Sequence, residues 1–377
     1  MGGSNSLGFE KEPKDARVVV AMSGGVDSSV TAALLKEQGY DVVGVTMQLY
    51  DHGLAIQRKG TCCAGQDIYD AREVAEKIGI PHYVLDYEDQ FSQTVIDDFV
   101  ESYLRGETPI PCVRCNQKIK FGALMDFARD LGAEALATGH YARREMGPKG
   151  AELRCASDDA RDQSYFLFAT SQEQLDYLRF PLGGMKNKAE TRDLAKHFGL
   201  PVAAKPDSQD ICFVPNGDYA SVVALWRPDG IVPGDIVDEK GNVLGRHEGI
   251  VHFTVGQRRG INLANRVGEN NEPLFVLRLD AEKKQVVVGP REALAQQKVF
   301  LREMNWLGDE MPKEEISVAV KLRSAQPPLA ATFRMLGEGR GLITLAESAF
   351  AIAPGQAGVI YDKDRVLGGG WITTKER

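Results

Sequence analysis

No run of about 18 consecutive apolar residues occurs anywhere along the 377 positions, which excludes a conventional membrane-spanning helix and a membrane partner. The stretch Met1 to Lys14 is polar and carries both charge signs, so it lacks the apolar heart of an export signal. A cytoplasmic protein is the expectation. Basic residues are not in excess either: 45 Lys and Arg stand against 53 Asp and Glu, a formal charge of -8. That balance argues against a globally basic nucleic-acid coat, although a local basic path on an acidic protein can still grip a phosphate backbone. Beyond Cys212 there is no cysteine, and all six (Cys62, Cys63, Cys112, Cys115, Cys155, Cys212) fall within the first 212 residues. Without an export signal a disulfide framework is a poor explanation, whereas thiol catalysis or metal binding is a reasonable one. Internal repeats and low-complexity tracts are missing too, which removes solenoids and fibrous chains.

With 43% apolar composition the chain can bury a sizeable core and is long enough for two or three domains. Arg17 to Met22 reads as a buried strand, Ser23 to Asp27 as a tight loop, and Ser28 to Gln38 as a helix stopped by Gly39. Asp41 to Met47 (strand), Asp67 to Ile78 (helix, stopped by Gly79) and His82 to Asp86 (strand) continue the alternation. Asp89 to Leu104 and Gln117 to Leu131 read as helices, the latter stopped by Gly132, and Ala135 to Thr138 as a short strand. This order predicts an α/β, doubly wound parallel sheet with ligands at the carboxyl ends of its strands. After Phe213 glycine and proline become frequent. Short alternating runs take over at Phe275–Leu279, Gln285–Val288, Ile316–Val320, Ala330–Met335, Gly341–Leu345 and Gly358–Tyr361. The expected division is a mobile tail (1–14), the α/β domain (15–213), a small β-rich central domain (214–289) and a C-terminal β-barrel-like domain (290–377).

Ser23-Gly24-Gly25-Val26-Asp27-Ser28-Ser29 sits between the first strand and the first helix. Glycines let the backbone fold back so that successive N–H groups converge, the two serines offer hydroxyls, and the helix adds its positive end, which together suit an anion. No lysine follows the glycines, so this is not a Walker loop, and the spacing is not G-x-G-x-x-G. The loop resembles the SGGxDS signature of the PP-loop ATP pyrophosphatases, which adenylate a carbonyl oxygen and release pyrophosphate. That resemblance leaves sulfur insertion and amide-forming ligation both open. It implies Asp27 near Mg2+, a hard oxygen ligand for a hard cation.

Pro111-Cys112-Val113-Arg114-Cys115 precedes the helix expected from Gln117, so Cys115 is placed at a helix start beside Arg114 and Lys118, where its thiolate would be favoured. A further isolated thiol follows in Asp210-Ile211-Cys212-Phe213, where core packing is the bland alternative. Cys155 reads as a small buried hydrophobe, and Cys62-Cys63 as packing, solvent-exposed or auxiliary thiols. Six separated blocks then resemble the tRNA-specific 2-thiouridylases, the bacterial MnmA family, over essentially the whole chain. They are the loop above, Thr138-Gly139-His140-Tyr141-Ala142-Arg143, Asp162-Gln163-Ser164-Tyr165-Phe166-Leu167, Asp210-Ile211-Cys212-Phe213, Thr254-Val255-Gly256-Gln257-Arg258-Arg259-Gly260 and Ala353-Pro354-Gly355-Gln356.

The resemblance implies ATP-dependent replacement of the C2 oxygen of the wobble uridine at position 34 by sulfur, in tRNAs for lysine, glutamate and glutamine. Cys115 matches the family nucleophile and Cys212 the persulfide carrier, with a transient Cys115–Cys212 disulfide. ATP would meet Ala21, Met22, Ser23, Gly24, Gly25, Val26, Asp27, Ser28, Met47 and Gly139. The tRNA would meet Ile110, Pro111, Cys112, His140, Arg161, Asp162, Gln163, Arg323, Ser324 and Gln356. A persulfide donor protein, a cysteine desulfurase or a relay, is implied as partner. The chain departs from the family at Cys112, where many members carry an acid/base aspartate. Cys112, Cys115 and Cys212 thereby form a set that could instead hold a 4Fe-4S cluster with one open iron. Lys186, Lys188, Arg192, Lys196 and Lys205, and Arg246 with Arg258-Arg259, are candidate basic stretches for tRNA, each taken singly also a solvated face.

Overall fold

The computed structural model describes residues 4–50, 63–207, 211–214, 217–261 and 273–374, with backbone alone for 63 and 64. Cys62, the side chain of Cys63 and the 208–210 stretch thus lie outside the described residues. The chain divides into two compact units. One comprises Met1–Thr94, Val113–Gln209 and Asp364–Val366; the other comprises Val95–Cys112, Asp210–Lys363 and Leu367–Arg377.

The first unit is built on five strands: β1 (Arg17–Ala21), β2 (Asp41–Gln48), β3 (His82–Asp86), β4 (Ala135–Ala137) and, after a β5–β6 hairpin (Ala142–Gly147, Gly150–Cys155), β7 (Leu178–Arg179). They lie in the order β3-β2-β1-β4-β7, and every pairing is parallel. Val18, Val19 and Val20 are fully buried, because β1 is covered on both faces. This explains why its sequence is a continuous apolar run rather than an alternating one. Helices α1 (Val26–Glu37), α2 (Cys63–Ile78) and α3 (Lys188–His197) contribute Val30, Leu35, Val74 and Ala195 to the same core. Gly39, Gly79 and Gly132 all take the left-handed conformation at the ends of their helices, the stop signal read from sequence.

Two expectations change here. Residues 5–9, assigned to a mobile tail, are docked: Leu7 is buried, its N–H donates to the Tyr40 hydroxyl, and the Arg179 guanidinium donates to its carbonyl. The helix expected from Gln117 begins six residues earlier. It runs Pro111–Arg114, then through a wider π-type stretch Cys115–Ala123, then Leu124–Asp130. Proline at the first helical position is pre-set for that role.

In the second unit β8 (Gly234–Val237), β9 (Val243–His247), β10 (Phe275–Asp280) and β11 (Gln285–Gly289) form a sheet ordered β10-β11-β8-β9. Its core is Ile236, Phe253, Val276, Val286 and Val288. A barrel follows from β12 (Ala295–Trp306), β13 (Ile316–Lys321), β14 (Leu329–Gly337), β15 (Arg340–Phe350), β16 (Ala357–Asp362) and β17 (Arg365–Thr373). Its strand order is β12-β15-β14-β13-β16-β17, and pairing of β12 with β17 closes it, which leaves no free edge. All six alternating runs read from the sequence fall on these strands. No described helix is long and apolar enough to cross a membrane.

Candidate active site

Strand order reverses at β1, which has β2 on one side and β4 on the other; such a switch point opens a crevice at the carboxyl ends of the strands. The loop after β1 and the loop after β4 meet there. Gly24 sits at φ +70, and a Cβ on it would lie 2.2 Å from the Asp67 carbonyl oxygen. A Cβ on Gly139 would lie 2.8 Å from the Ser28 nitrogen and 2.9 Å from the Asp27 carbonyl carbon. Backbone thus packs on backbone, as a cradle of N–H groups requires. Helix α1 starts at a glycine cap without a side-chain hydrogen bond, so no side chain of the cap competes for its first N–H groups. The Ser23 N–H donates to the Ser28 hydroxyl at 3.1 Å. Ser29 differs from the expectation of a ligand-facing donor: fully buried, it donates to the Gly25 carbonyl at 2.8 Å and braces the loop. Met22 extends the β1–β2 ladder through its N–H to the Val45 carbonyl, and Met47 lies near the carboxyl end of β2.

Asp27 does not stand alone. The Lys188 ammonium donates to both its carboxylate oxygens, at 2.7 and 2.8 Å, and the Tyr141 hydroxyl donates to one of them at 2.9 Å. Burial, reinforced by the neighbouring carboxylates, pushes the Tyr141 phenol well above its usual range although a hydrogen bond with Thr191 opposes the rise. It therefore remains a donor. Lys188 also meets Asp207 at 2.9 Å. Burial works against ionising Asp207, but Lys188, Arg161 and Arg192 together hold its carboxyl below the usual carboxylate range. Behind the loop, Lys205 donates to the Gly24 carbonyl at 3.0 Å and pairs with Asp67 and Asp70. Lys188, read from the sequence as part of a basic surface, is buried, and Arg192 and Lys205 are half-buried with partners inside this unit. That Lys188 and Tyr141 meet Asp27 is not legible from spacing, since each lies more than a hundred residues from it.

His140 follows Gly139 and lies edge-on to Phe121 and Phe180, with its Nδ1 2.8 Å from the Thr138 hydroxyl. Burial first, and the Lys120 charge second, hold its imidazole well below the usual value, hence neutral near pH 7. Arg161 pairs with Asp207 at 2.9 Å. Asp162 serves its own loop, accepting from the N–H groups of Ala156 and Ser164 and from the Ser164 hydroxyl. Gln163 exchanges hydrogen bonds with the Tyr141 backbone through its amide oxygen and its own N–H.

Cys115 is buried and belongs to the first unit, whereas Cys112 and Cys212 are exposed and belong to the second. Because the helix starts at Pro111, Cys112 occupies the first turn and Cys115 lies beyond it. Cys212 is no core residue: Phe213 is buried against Phe99, ring centroids 5.1 Å apart, and this anchor leaves Cys212 outward. Cys155 is half-buried, its sulfur 3.5 Å from the Ser164 hydroxyl. Among the described residues no group of three or more His, Cys, Asp or Glu side chains is arranged to hold a metal ion.

The second unit carries the remaining tRNA candidates. Ile110 and Pro111 are buried. The Gln356 amide donates to the Thr108 carbonyl at 2.9 Å, and the Thr108 N–H donates to the Pro354 carbonyl at 2.7 Å. Gly355, at φ +86, approaches so closely that a Cβ would lie 2.9 Å from the Thr108 nitrogen. The Ala353–Gln356 turn is thus a clasp on the segment leading to Cys112. Arg323 is exposed and donates to the Ala351 carbonyl, with Ser324 half-buried beside it.

Comparison with known proteins places the whole chain. A family model described as tRNA methyl transferase HUP domain matches residues 16–216, one described as tRNA methyl transferase PRC-barrel domain matches 228–290, and one described as Aminomethyltransferase beta-barrel domain matches 296–372. The tRNA-specific 2-thiouridylase MnmA of Rhodospirillum centenum is 63% identical over 375 residues, covering 99% of this chain and 95% of the relative. That of Parvibaculum lavamentivorans is 61% identical, covering 100% and 95%, and that of Paracoccus denitrificans 60%, covering 98% and 94%. This chain belongs to the tRNA-specific 2-thiouridylase family. The α/β parallel-sheet fold followed by a small β-rich part and a barrel, expected of a thiouridylase of this family, is the fold found.

Proposed function

We propose that the chain is an ATP-dependent tRNA-uridine 2-sulfurtransferase acting at wobble position 34 of tRNAs for lysine, glutamate and glutamine. The observation that carries this reading is the pairing of a nucleotide cradle with thiols at Cys115 and Cys212 in a chain that matches named thiouridylases end to end. The domain models carry the words methyl transferase, but the cradle and the cysteines have no part in methyl transfer and side with the whole-chain relatives. An amide-forming PP-loop ligase would need neither cysteine.

The chain uses ATP and acts on tRNA. Uracil oxygen is a poor leaving group; its attack on the α-phosphorus expels pyrophosphate and turns it into AMP. The residues assigned to the nucleotide are Ala21 to Ser28, Met47 and Gly139, whose backbone N–H groups, with the end of α1, favour the charge that builds on the phosphates. Mg2+ would neutralise phosphate charge, and Asp27 is the carboxylate in the cradle suited to it. His140, kept neutral, can meet the flipped base as a hydrogen-bonding partner without adding charge. The terminal sulfur of a Cys212 persulfide then attacks C2, AMP leaves with the oxygen, and the Cys115 thiolate displaces the product sulfur to form a Cys115–Cys212 disulfide. Alternatively Cys115 first attacks the Cys212 sulfur and releases hydrosulfide, which attacks C2 with the same disulfide as by-product. Either way a dithiol must reduce the disulfide between turnovers. Cys112, at the position where relatives bear an acid/base carboxylate, is assigned to the approach of the base beside Ile110 and Pro111. Arg161, Asp162, Gln163, Arg323, Ser324 and Gln356 are assigned to the tRNA.

A 4Fe-4S cluster on Cys112, Cys115 and Cys212 is the alternative route to the same product, and iron and acid-labile sulfide analysis of anaerobically purified protein distinguishes the two. We place the enzyme in the cytoplasm, supplied by a persulfide-bearing donor protein. The domain division proposed is 15–213, 214–289 and 290–377. Pyrophosphate release from labelled ATP tests the reading: it should require unmodified tRNA, and release that proceeds equally without tRNA would count against it.

A further inference from the structure

We infer that Lys188 is the phosphate-facing cation that the Ser23–Ser29 loop itself lacks, held beside the cradle by Asp27 and Asp207 and meeting the polyphosphate of the bound nucleotide. This deepens the ATP reading and rests on it. The side chain is 10% exposed, and burying an ammonium is tolerated where carboxylates surround it. Its three contacts, two to Asp27 and one to Asp207, fall between 2.7 and 2.9 Å. Lysine is a flexible point charge with three donors, so it can leave one Asp27 oxygen for a phosphate oxygen while keeping Asp207.

Arg161 and Arg192 also pair with Asp207, so Asp207 stays compensated when Lys188 turns toward an anion. Asp27 is itself in the first turn of α1, one residue from the Ser28 nitrogen against which Gly139 packs. The ammonium therefore stands one side chain away from the N–H groups assigned to the phosphates. Lys205, the other lysine near the loop, is turned to the Gly24 carbonyl and two carboxylates and braces the backbone from outside.

The test compares ATP, AMP and adenosine binding by calorimetry in the wild type, Lys188→Gln and Lys188→Arg, with circular dichroism to confirm folding. The glutamine variant should bind ATP at least tenfold more weakly and adenosine within twofold of wild type, with AMP between, and arginine, which keeps the charge, should recover part of the ATP affinity. Unchanged ATP affinity in Lys188→Gln would overturn the inference. So would equal losses for ATP and adenosine, which would make Lys188 a residue that holds the fold. A wild type that bound no ATP would strike the ATP reading instead.

Discussion

Replacing Gly139 with alanine isolates backbone approach from every other feature of the cradle. Gly139 is outside the positive-φ set, so alanine meets no conformational penalty and its one added carbon does the work. That carbon would lie 2.8 Å from the Ser28 nitrogen, 2.9 Å from the Asp27 carbonyl carbon and 3.1 Å from the Asp27 Cβ. Ordinary van der Waals contact begins near 3.4 Å, so the loop after β4 and the start of α1 must part by roughly half an ångström. Two of the three atoms are backbone and cannot rotate away. Overpacking of this kind costs about 1–3 kcal/mol, and if the separation is expressed at the N–H groups, ATP affinity should fall roughly 5- to 150-fold. Titration calorimetry with ATP, beside thermal unfolding without ligand, reads both destinations of the strain. An alanine variant that binds ATP as the wild type does would refute the close packing of the two loops as the basis of the nucleotide site.

Other consequences follow. Cys115→Ser and Cys212→Ser should each abolish sulfur transfer while leaving tRNA-dependent pyrophosphate release within a few-fold of wild type, since adenylation uses neither thiol. Loss of both activities in either variant would place that thiol in adenylation. Gln356→Ala removes the hydrogen bond to the Thr108 carbonyl and should lower stability in denaturant by about 1 kcal/mol; an unchanged midpoint would show that the clasp contributes nothing. Acid should destabilise the fold through His140: burial keeps it neutral in the native state, the unfolded chain takes up a proton near pH 6.5, and stability is lost as pH falls below that value. His82 and His247 are displaced in the same direction, also chiefly by burial, so melting temperature against pH should flatten in His140→Asn without becoming flat. Equal slopes in the two proteins would contradict the assignment.

Much of this was legible because local chemistry announced it. A glycine-rich turn between an apolar run and a helix can be read without knowing what lies across from it, and so can glycines that end helices at 39, 79 and 132. Alternation marked β13 to β16, which show one face to the core of Val320, Phe333, Ile343 and Ile360, whereas β12 and the glycine-interrupted β17 gave no such signal. Partnership across the chain was not legible. Lys188 resembles its exposed neighbours Lys186 and Lys196 in sequence, and nothing within a helical turn of it tells that Asp27 lies opposite. Ser29 looked like a ligand donor until its hydroxyl was seen to turn back to Gly25. Pro111 carried a helix-start signal that the more polar stretch from Gln117 obscured. Nor does the sequence around Gln356 tell that its amide nitrogen donates to the Thr108 carbonyl, 248 residues away.

The central claim is that one chain adenylates a wobble uridine and delivers sulfur to the same carbon. Nucleoside mass analysis of unmodified tRNA after incubation with the protein, ATP, Mg2+ and a persulfide source tests it directly. The expected result is a uridine at anticodon position 34 in which one oxygen has become sulfur, formed with ATP and absent without it, and lost in Cys115→Ser and Cys212→Ser. A nucleoside profile unchanged by the wild-type protein while pyrophosphate is released, or sulfur insertion undiminished in the two serine variants, would contradict the account.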